Sequence, residues 1–273
     1  MSAKLGFIGG GNMAEAIIGG VIRGVILPPE DILVTDISDA RRAFLVERYG
    51  VKAIESNREL VRRSEVVLFA VKPQTMGAVL AEIAPESHGE HLFLSICAGT
   101  RTSRIEEGLR NPANPMPRVV RVMPNTPALI GLGVAGVSLG LHARLEDLDF
   151  PRRIFEAIGT VTTMPESMMD AVTALTGSGP AYVFHLIESL IDAGIAVGFA
   201  EEDARKMVIQ MVLGSATLAS QSDKSPAELR RAVTSPGGTT AAGIAVLESR
   251  EVKNAYIDCV KAATRRGEEL SGG

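Results

Sequence analysis

The stretch LGFIGGGNMAEAI, residues 5 to 17, decides the fold of this 273-residue chain. A strand-like apolar run passes directly into glycines and then into a helical pattern, with Gly9, Gly11 and Ala14 spaced as G-x-G-x-x-[GA]. The first position permits a tight turn, the second lets a pyrophosphate approach the backbone, and the third lets helix and strand pack closely. A tight turn without a ligand is the alternative, but the place of the motif after the first strand favours a dinucleotide-binding turn.

The first half of the chain alternates short apolar runs with helical patterns up to about residue 164. Six runs are predicted to be strands: KLGFIG, DILVTD, EVVLFAV, HLFLSI, RVVRVM and GVAGVSL. Such alternation is typical of a mostly parallel sheet covered by helices. Residues 1–164 are therefore predicted to form a Rossmann-like α/β domain that binds a dinucleotide.

The second half changes to long segments rich in alanine, methionine and leucine. No strand-like run interrupts them, so residues 165–273 are predicted to form an all-helical domain that binds the substrate and mediates dimerisation. Five main helices are expected, over residues 180–197, 202–220, 226–233, 239–250 and 252–270. Their apolar residues cover more than one face, as in KMVIQMVLGSATLA, which favours a subunit interface over a crowded monomer core.

Composition limits the class of partner. Hydrophobic residues make up 46% and charged residues 22%, and a net charge of −4 gives no reason to expect nucleic acid or an anionic membrane. The N-terminal segment lacks the apolar core of a signal peptide, so a cytoplasmic protein acting on a small molecule is expected. Cys97 and Cys259 have no nearby cysteine partner and are predicted to be buried, reduced thiols; no metal site is expected.

The end of the second predicted strand, ILVTDISDARR, gives two conflicting signals about the dinucleotide. Asp36 lies 22 residues beyond Ala14, where a carboxylate would accept hydrogen bonds from the adenosine ribose of NAD. Ser38, Arg41 and Arg42 follow and could hold the 2′-phosphate of NADP. A capping Asp36 beside solvated arginines is a third interpretation, and the sequence leaves all three open.

Three further loops follow predicted strands at their carboxyl ends: AVKP (70–73), CAGT (97–100) and MPNTPA (123–128). Ligands of open α/β sheets bind in the crevice at those ends, so these loops are expected near the nicotinamide half of the cofactor. Lys72, Asn125 and Thr126 are their available polar groups, although structural turns would explain the prolines equally well.

The segment SPGGTT, residues 235–240, points to the hydride acceptor. Oxidation of an alcohol needs a base, and nothing in the helical half resembles a His–Asp pair. A C=N acceptor relaxes this need, and the glycine N–H groups with the Thr239 and Thr240 hydroxyls suit a carboxylate and a ring nitrogen. The alternative is a helix cap, with Ser235 as N-cap and Pro236 at the first helical position.

Taken together, these stretches resemble the pyrroline-5-carboxylate reductase family. The motifs GFIGGGNM, AVKP, CAGT, MPNTPA, DAVTALTGSGPAYVF and TSPGGTTAAGIAVLE carry the resemblance over nearly the whole chain. It implies reduction of (S)-1-pyrroline-5-carboxylate to L-proline, the last step of proline biosynthesis, by hydride transfer to the C=N carbon. NADPH is the implied cofactor, with NADH as the alternative. The resemblance also implies dimers formed through the C-terminal helices, with a decamer as the larger assembly.

The same resemblance implies roles for individual residues. Contacts to the pyrophosphate are implied for Ile8, Gly9, Gly10, Gly11, Asn12 and Met13, and to the adenosine end for Asp36, Ser38 and Asn57. The implied nicotinamide side comprises Ala70, Val71, Lys72, Pro73, Ala98 and Gly99. Substrate contacts are implied for Glu166, Ser235, Gly238, Thr239 and Thr240, with Thr240 as the catalytic donor at the imine. Asp36 stands where many NADP-preferring members have serine or threonine.

Two other functions remain as alternatives. A β-hydroxyacid-type dehydrogenase shares the N-terminal turn but would need a lysine from a G-x-G-x-x-x-K helix, where TGSGPAYVF offers Tyr182 and His185. A non-catalytic dinucleotide sensor would keep the glycine turn and have no need of SPGGTT.

Overall fold

The computed structural model describes residues 3–272, and the chain divides into two compact units. One unit runs to Ser178 and also includes the segment from Ala263 onward, while the other comprises Gly179–Ala262. The division predicted at residue 164 falls earlier in the chain, and the C-terminal segment lies with the first unit.

Within the described residues, the first unit contains an eight-stranded sheet of order β3-β2-β1-β4-β5-β6-β7-β8. The strands are β1 (Ala3–Ile8), β2 (Ile32–Thr35), β3 (Lys52–Ile54), β4 (Ser64–Phe69), β5 (Leu92–Ser95), β6 (Arg118–Met123), β7 (Gly133–Leu139) and β8 (Gly159–Thr163). β7 pairs antiparallel with β6, and the other neighbours in this sheet pair in parallel. The chain reverses its direction of winding between β1 and β4, which places a ligand crevice at their carboxyl ends. The predicted Rossmann-like fold is confirmed.

Apolar residues cover both faces of this sheet. Phe7 belongs to one buried cluster and its neighbour Ile8 to the other, because successive side chains of a strand point to opposite faces. Central strands such as β2 are buried throughout, as expected for a parallel sheet covered by helices. The covering helices are α1 (Asn12–Arg23), α2 (Asp39–Tyr49), α3 (Asn57–Arg63), α4 (Pro73–Ile83), α5 (Thr102–Leu109), α6 (Asp149–Glu156) and α7 (Met169–Val172).

The two edge strands have no counterpart among the predicted strands. β3 is only three residues long and half-buried, and β8 has the sequence GTVTT, with its threonines exposed. An edge strand needs less apolar sequence than a central one, which explains why the apolar-run criterion missed both. A π-helical turn, Thr173–Gly177, follows α7 and was also not predicted.

The second unit consists of helices: α8 (Gly179–Ala196), α9 (Glu201–Gln221), α10 (Pro226–Ala232), α11 (Thr239–Ser249) and most of α12 (Val252–Gly272). The predicted all-helical character of the second half is confirmed, and the helix limits agree within two residues. Ser225 and Glu228 form a reciprocal capping box at the start of α10. Among residues 179–262, all of which the structure describes, only Ala204 is buried in the single chain. None of the helices within residues 3–272 is long and apolar enough to cross a membrane.

Candidate active site

The glycine turn between β1 and α1 has the geometry of an anion cradle. Gly9 adopts φ of +98°, and a Cβ there would lie 2.6 Å from the Ala70 carbonyl oxygen, so only glycine fits. Gly11 precedes α1, and a Cβ on it would meet nothing within 4 Å. No side chain caps the free N–H groups at this helix start, and Ala14 is completely buried. The turn at Ile8–Met13 therefore fits a pyrophosphate.

The predicted adenosine residues lie where β2 ends and where α2 and α3 begin. The Asp36 carboxylate accepts hydrogen bonds from the Gly10 N–H at 2.8 Å and from the Ser38 N–H at 2.9 Å. Ser38 is the N-cap of α2. Asn57 accepts a hydrogen bond from the Thr35 hydroxyl at 2.6 Å. The contact between Gly10 and Asp36 ties the end of β2 to the glycine turn.

The predicted nicotinamide loops follow β4 and β5. Ala70 donates its N–H to the Ile8 carbonyl at 2.9 Å, and α4 begins at Pro73 with Lys72 as its N-cap. The second loop contains Ala98 and Gly99, and Gly99 adopts φ of +66°.

The Cys97 thiol joins these two loops by donating to the Val71 carbonyl at 3.1 Å. Burial raises the pKa of Cys97 to about 11, so the thiol stays protonated and able to donate at neutral pH. Cys97 is thus a buried thiol as predicted, whereas Cys259 is only half-buried.

Asn125, in the third loop, is not available to a ligand. Its side-chain NH₂ donates to the Thr176 carbonyl at 3.1 Å, and its oxygen accepts from the Val134 N–H at 3.0 Å. The amide therefore holds the MPNTPA loop against the π-helical turn.

Glu166 makes structural contacts within the first unit. Its carboxylate accepts from the Thr102 N–H and hydroxyl, both at 2.7 Å, at the start of α5. It also lies 3.6 Å from a guanidinium nitrogen of Arg121, which is almost completely buried and pairs with Asp170 at 3.2 Å. Arg121 is not among the predicted site residues, although a charged residue inside the apolar run RVVRVM was the available signal. The substrate contact of Glu166 stays a prediction.

The SPGGTT segment forms a tight turn and then a helix start. The Gly238 N–H donates to the Ser235 carbonyl at 3.1 Å, with Pro236 and Gly237 between them. Proline at the second position and glycine at the third, with φ of +70°, are typical of a type II turn. α11 begins at Thr239 with Gly238 as its N-cap. The capping alternative, with Ser235 as N-cap, is therefore wrong.

This arrangement leaves binding groups free at the start of α11. No side chain caps the helix, so its first N–H groups have no partner within it. Among the contacts of residues 3–272, no hydrogen bond engages the hydroxyls of Ser235, Thr239 or Thr240. Free N–H groups and hydroxyls at the positive end of an 11-residue helix suit a carboxylate ligand.

Two family models match the chain. Residues 166–270 match the model described as pyrroline-5-carboxylate reductase dimerisation. Residues 4–99 match a model described as NADP oxidoreductase, coenzyme F420-dependent.

Full-length relatives decide the family. The chain is 43% identical over 270 residues to a pyrroline-5-carboxylate reductase of Synechocystis, which covers 99% of both chains. It is 40% identical to the Arabidopsis thaliana enzyme of that name, over 99% of this chain and 96% of the relative. The chain belongs to the pyrroline-5-carboxylate reductase family. The predicted resemblance is confirmed.

Solved structures of pyrroline-5-carboxylate reductases agree with this assignment. The Coxiella burnetii enzyme superposes with a TM-score of 0.92 at 36% identity, over 99% of both chains. The Plasmodium falciparum enzyme, solved with NADP bound, gives a TM-score of 0.86 at 33% identity over 98% of both chains.

Proposed function

We propose that this chain reduces (S)-1-pyrroline-5-carboxylate to L-proline with NADPH or NADH, the last step of proline biosynthesis. The observation that carries the proposal is the start of α11, where free N–H groups and threonine hydroxyls follow a tight Pro-Gly turn. Membership of the reductase family and the NADP bound by the Plasmodium falciparum relative support it. A dinucleotide sensor would have no need of these groups.

The residues at α11 bind and orient the substrate. The Thr239 and Thr240 N–H groups, which follow the Gly238 N-cap, bind its carboxylate, because the positive helix end stabilises an anion. The Thr240 hydroxyl donates a hydrogen bond to the lone pair of the imine nitrogen and stabilises the negative charge that develops there as hydride adds to the C=N carbon. The Ser235 hydroxyl adds a further hydrogen bond to the substrate. Glu166, which holds the start of α5 through Thr102, is a further substrate contact in this proposal.

The first unit holds the dinucleotide. The pyrophosphate binds at Gly9–Met13, against the N-terminus of α1, and the adenosine end binds at Asp36, Ser38 and Asn57. Ala70–Pro73 and Ala98–Gly99 would hold the nicotinamide. The bound cofactor supplies the hydride that forms the new C–H bond at the C=N carbon.

The match to the dimerisation model supports self-association through the C-terminal region. We propose that the C-terminal helices interleave in a dimer, that a decamer is the larger assembly, and that the enzyme acts in the cytoplasm. Light scattering coupled to size-exclusion chromatography measures the mass of the assembly. A mass equal to that of one chain would contradict self-association.

A Thr240→Ala variant tests the proposed function. We expect kcat with pyrroline-5-carboxylate to fall about a hundredfold, since a hydrogen bond that strengthens in the transition state is lost. The dissociation constant for NADPH should not change.

Thr217→Ala is the matched control, because this hydroxyl only donates within α9, to the Leu213 carbonyl. An unchanged kcat in Thr240→Ala would remove Thr240 from the mechanism. If the native chain fails to oxidise NADPH or NADH with this substrate, the sensor alternative is favoured instead.

A further inference from the structure

The carboxyl end of β2 presents a fixed negative charge to the adenosine ribose. Both carboxylate oxygens of Asp36 accept main-chain hydrogen bonds, one from Gly10 at 2.8 Å and one from Ser38 at 2.9 Å. These bonds hold the side chain in one orientation beside the glycine turn. A carboxylate in this position accepts a hydrogen bond from a ribose 2′-hydroxyl and repels a 2′-phosphate.

Arg41, one candidate for holding a 2′-phosphate, is bound elsewhere. Its Nε donates to the Gly10 carbonyl, and its Nη2 pairs with Glu15 at 2.5 Å. The guanidinium also lies 4.9 Å from the centre of the Phe44 ring. A phosphate would have to break the Glu15 pair and the Gly10 contact to recruit this side chain.

Arg42, the other candidate, is also occupied. Its Nη1 donates to the Asp36 carbonyl at 2.6 Å, and its Nη2 pairs with Asp39 at 2.9 Å and Glu55 at 3.1 Å. Its side chain is only 13% exposed. The arginine thus neutralises acids around the strand end and has no spare charge for a phosphate.

The charges recorded around this strand end sum to a negative value. The carboxylates in these contacts are Glu15, Asp36, Asp39, Glu55 and Glu82, and the cations are Arg41, Arg42 and Arg48. A 2′-phosphate carries about −1.5 to −2 charges at neutral pH. The α2 N-terminus offers little compensation, because Ser38 already caps it and Asp39 occupies its first turn.

We infer that this chain binds and uses NADH in preference to NADPH, with Asp36 as the residue that determines the specificity. The inference rests on the proposed reductase function and deepens it by naming the preferred cofactor. NADPH remains a cofactor of lower kcat/KM. The Plasmodium falciparum relative was solved with NADP bound, so a member of the family accommodates the 2′-phosphate.

Equilibrium binding without substrate tests the inference directly. The intact protein is titrated with NADH and NADPH by calorimetry, and with 5′-AMP and 2′,5′-ADP, which differ by the 2′-phosphate. We expect the dissociation constant of NADPH to exceed that of NADH about tenfold, and the two nucleotides to rank in the same way. Equal or tighter binding of NADPH overturns the inference. Failure of both dinucleotides to bind would contradict the proposed function instead.

Substitution of Asp36 should reverse the preference. We expect Asp36→Ser to move the ratio of the two dissociation constants toward NADPH about a hundredfold, because repulsion is relieved and the ribose contact is lost. Asp36→Asn removes the charge, keeps an acceptor for Gly10, and should move the ratio in the same direction. Glu107→Gln, an equal charge change on an exposed position of α5, should leave it unchanged. An unchanged ratio in both folded Asp36 variants overturns the inference.

Ionic strength gives a measurement that needs no variant. If carboxylates repel the 2′-phosphate, added NaCl screens the repulsion. The dissociation constants of NADH and NADPH then become more similar. If arginines bind the 2′-phosphate, added salt weakens the binding of NADPH selectively. The ratio of the NADPH to the NADH dissociation constant then rises instead of falling. The second result overturns the inference.

Discussion

The two compact units bury their apolar side chains to very different extents. In the first unit Phe7 and Phe93 are completely buried, and clusters of such residues line both faces of the sheet. In the helical unit Phe184 is 64% exposed in the single chain, and Leu213 is 52% exposed. Both units contain large apolar side chains. They differ in whether other residues of the single chain cover those side chains.

This difference indicates where each unit obtains its stability. The first unit completes a core from its own strands and helices, whereas the second leaves an apolar surface that water would disfavour. The match of residues 166–270 to a dimerisation model explains that surface as one that self-association covers. Stability of the helical unit should therefore depend on assembly, and that of the sheet unit on internal contacts.

A charge placed on the helical surface should have the largest effect. Phe184→Asp on α8 should raise the dissociation constant of the dimer about a thousandfold, since a two-fold interface contains each substitution twice at about 2 kcal/mol. Sedimentation at several protein concentrations measures this change. Glu202→Gln, at an exposed position in the first turn of α9, is the control that should leave assembly intact. An unaltered dissociation constant for Phe184→Asp would place the interface elsewhere.

A smaller effect is expected in the sheet unit when its buried cation is removed. Arg121→Ala leaves Glu166 and Asp170 without their partner and should lower the free energy of unfolding by about 3 kcal/mol. Urea unfolding measures the loss, and the assembly state should not change. Arg153→Ala, on an exposed position of α6, should cost less than about 0.5 kcal/mol. Equal losses in the two variants would show that burial of Arg121 is not what matters.

The smallest expected effect is the loss of stability at low pH that the buried His91 causes. Burial, and then the neighbouring His88, lower the pKa of His91 to about 4, so the folded protein keeps it neutral. The unfolded chain takes up this proton below about pH 6.5, so stability is lost as pH falls from 6.5 toward 4. The loss should be about 2 kcal/mol between pH 7 and pH 5.

Urea unfolding gives the free energy of unfolding at several pH values. The His91 contribution is the difference between the pH dependence of this free energy in the native protein and in His91→Gln. In His91→Gln the free energy of unfolding should lose the corresponding part of its pH dependence, because glutamine has no side chain that takes up a proton on unfolding. His185→Gln, at an exposed position in the helical unit, should retain it. Parallel pH curves for native protein and His91→Gln would contradict the assignment.

Local sequence patterns predicted most of the fold because they act over short distances. Helix limits in the second half follow from apolar periodicity and from starts such as Pro226, and the structure agrees within two residues. The G-x-G-x-x-A turn was predictable because its outer positions have local steric requirements: Gly9 adopts φ of +98°, and Ala14 is completely buried. The edge strands escaped detection because solvent on one side removes the need for apolar residues.

Contacts between distant residues could not be predicted in the same way. Arg121 and Asp170 are 49 positions apart, and only the folded sheet brings them together. The hydrogen bond from the Gly10 N–H to the Asp36 carboxylate joins residues 26 positions apart, and the sequence did not predict it. At SPGGTT the sequence allowed a cap at Ser235, and the choice depended on the backbone turn that Gly237 permits.

The character of the sheet's outer strands limits how copies of the chain can join. A strand with unpaired backbone groups offers a template on which another chain can add by hydrogen bonding. β3 is too short to align a partner in register, and β8 turns threonine hydroxyls toward water along most of its length. Continuous sheets across molecules are thereby disfavoured, which leaves contact between helices as the route to an ordered assembly and reduces the tendency to form fibrillar aggregates.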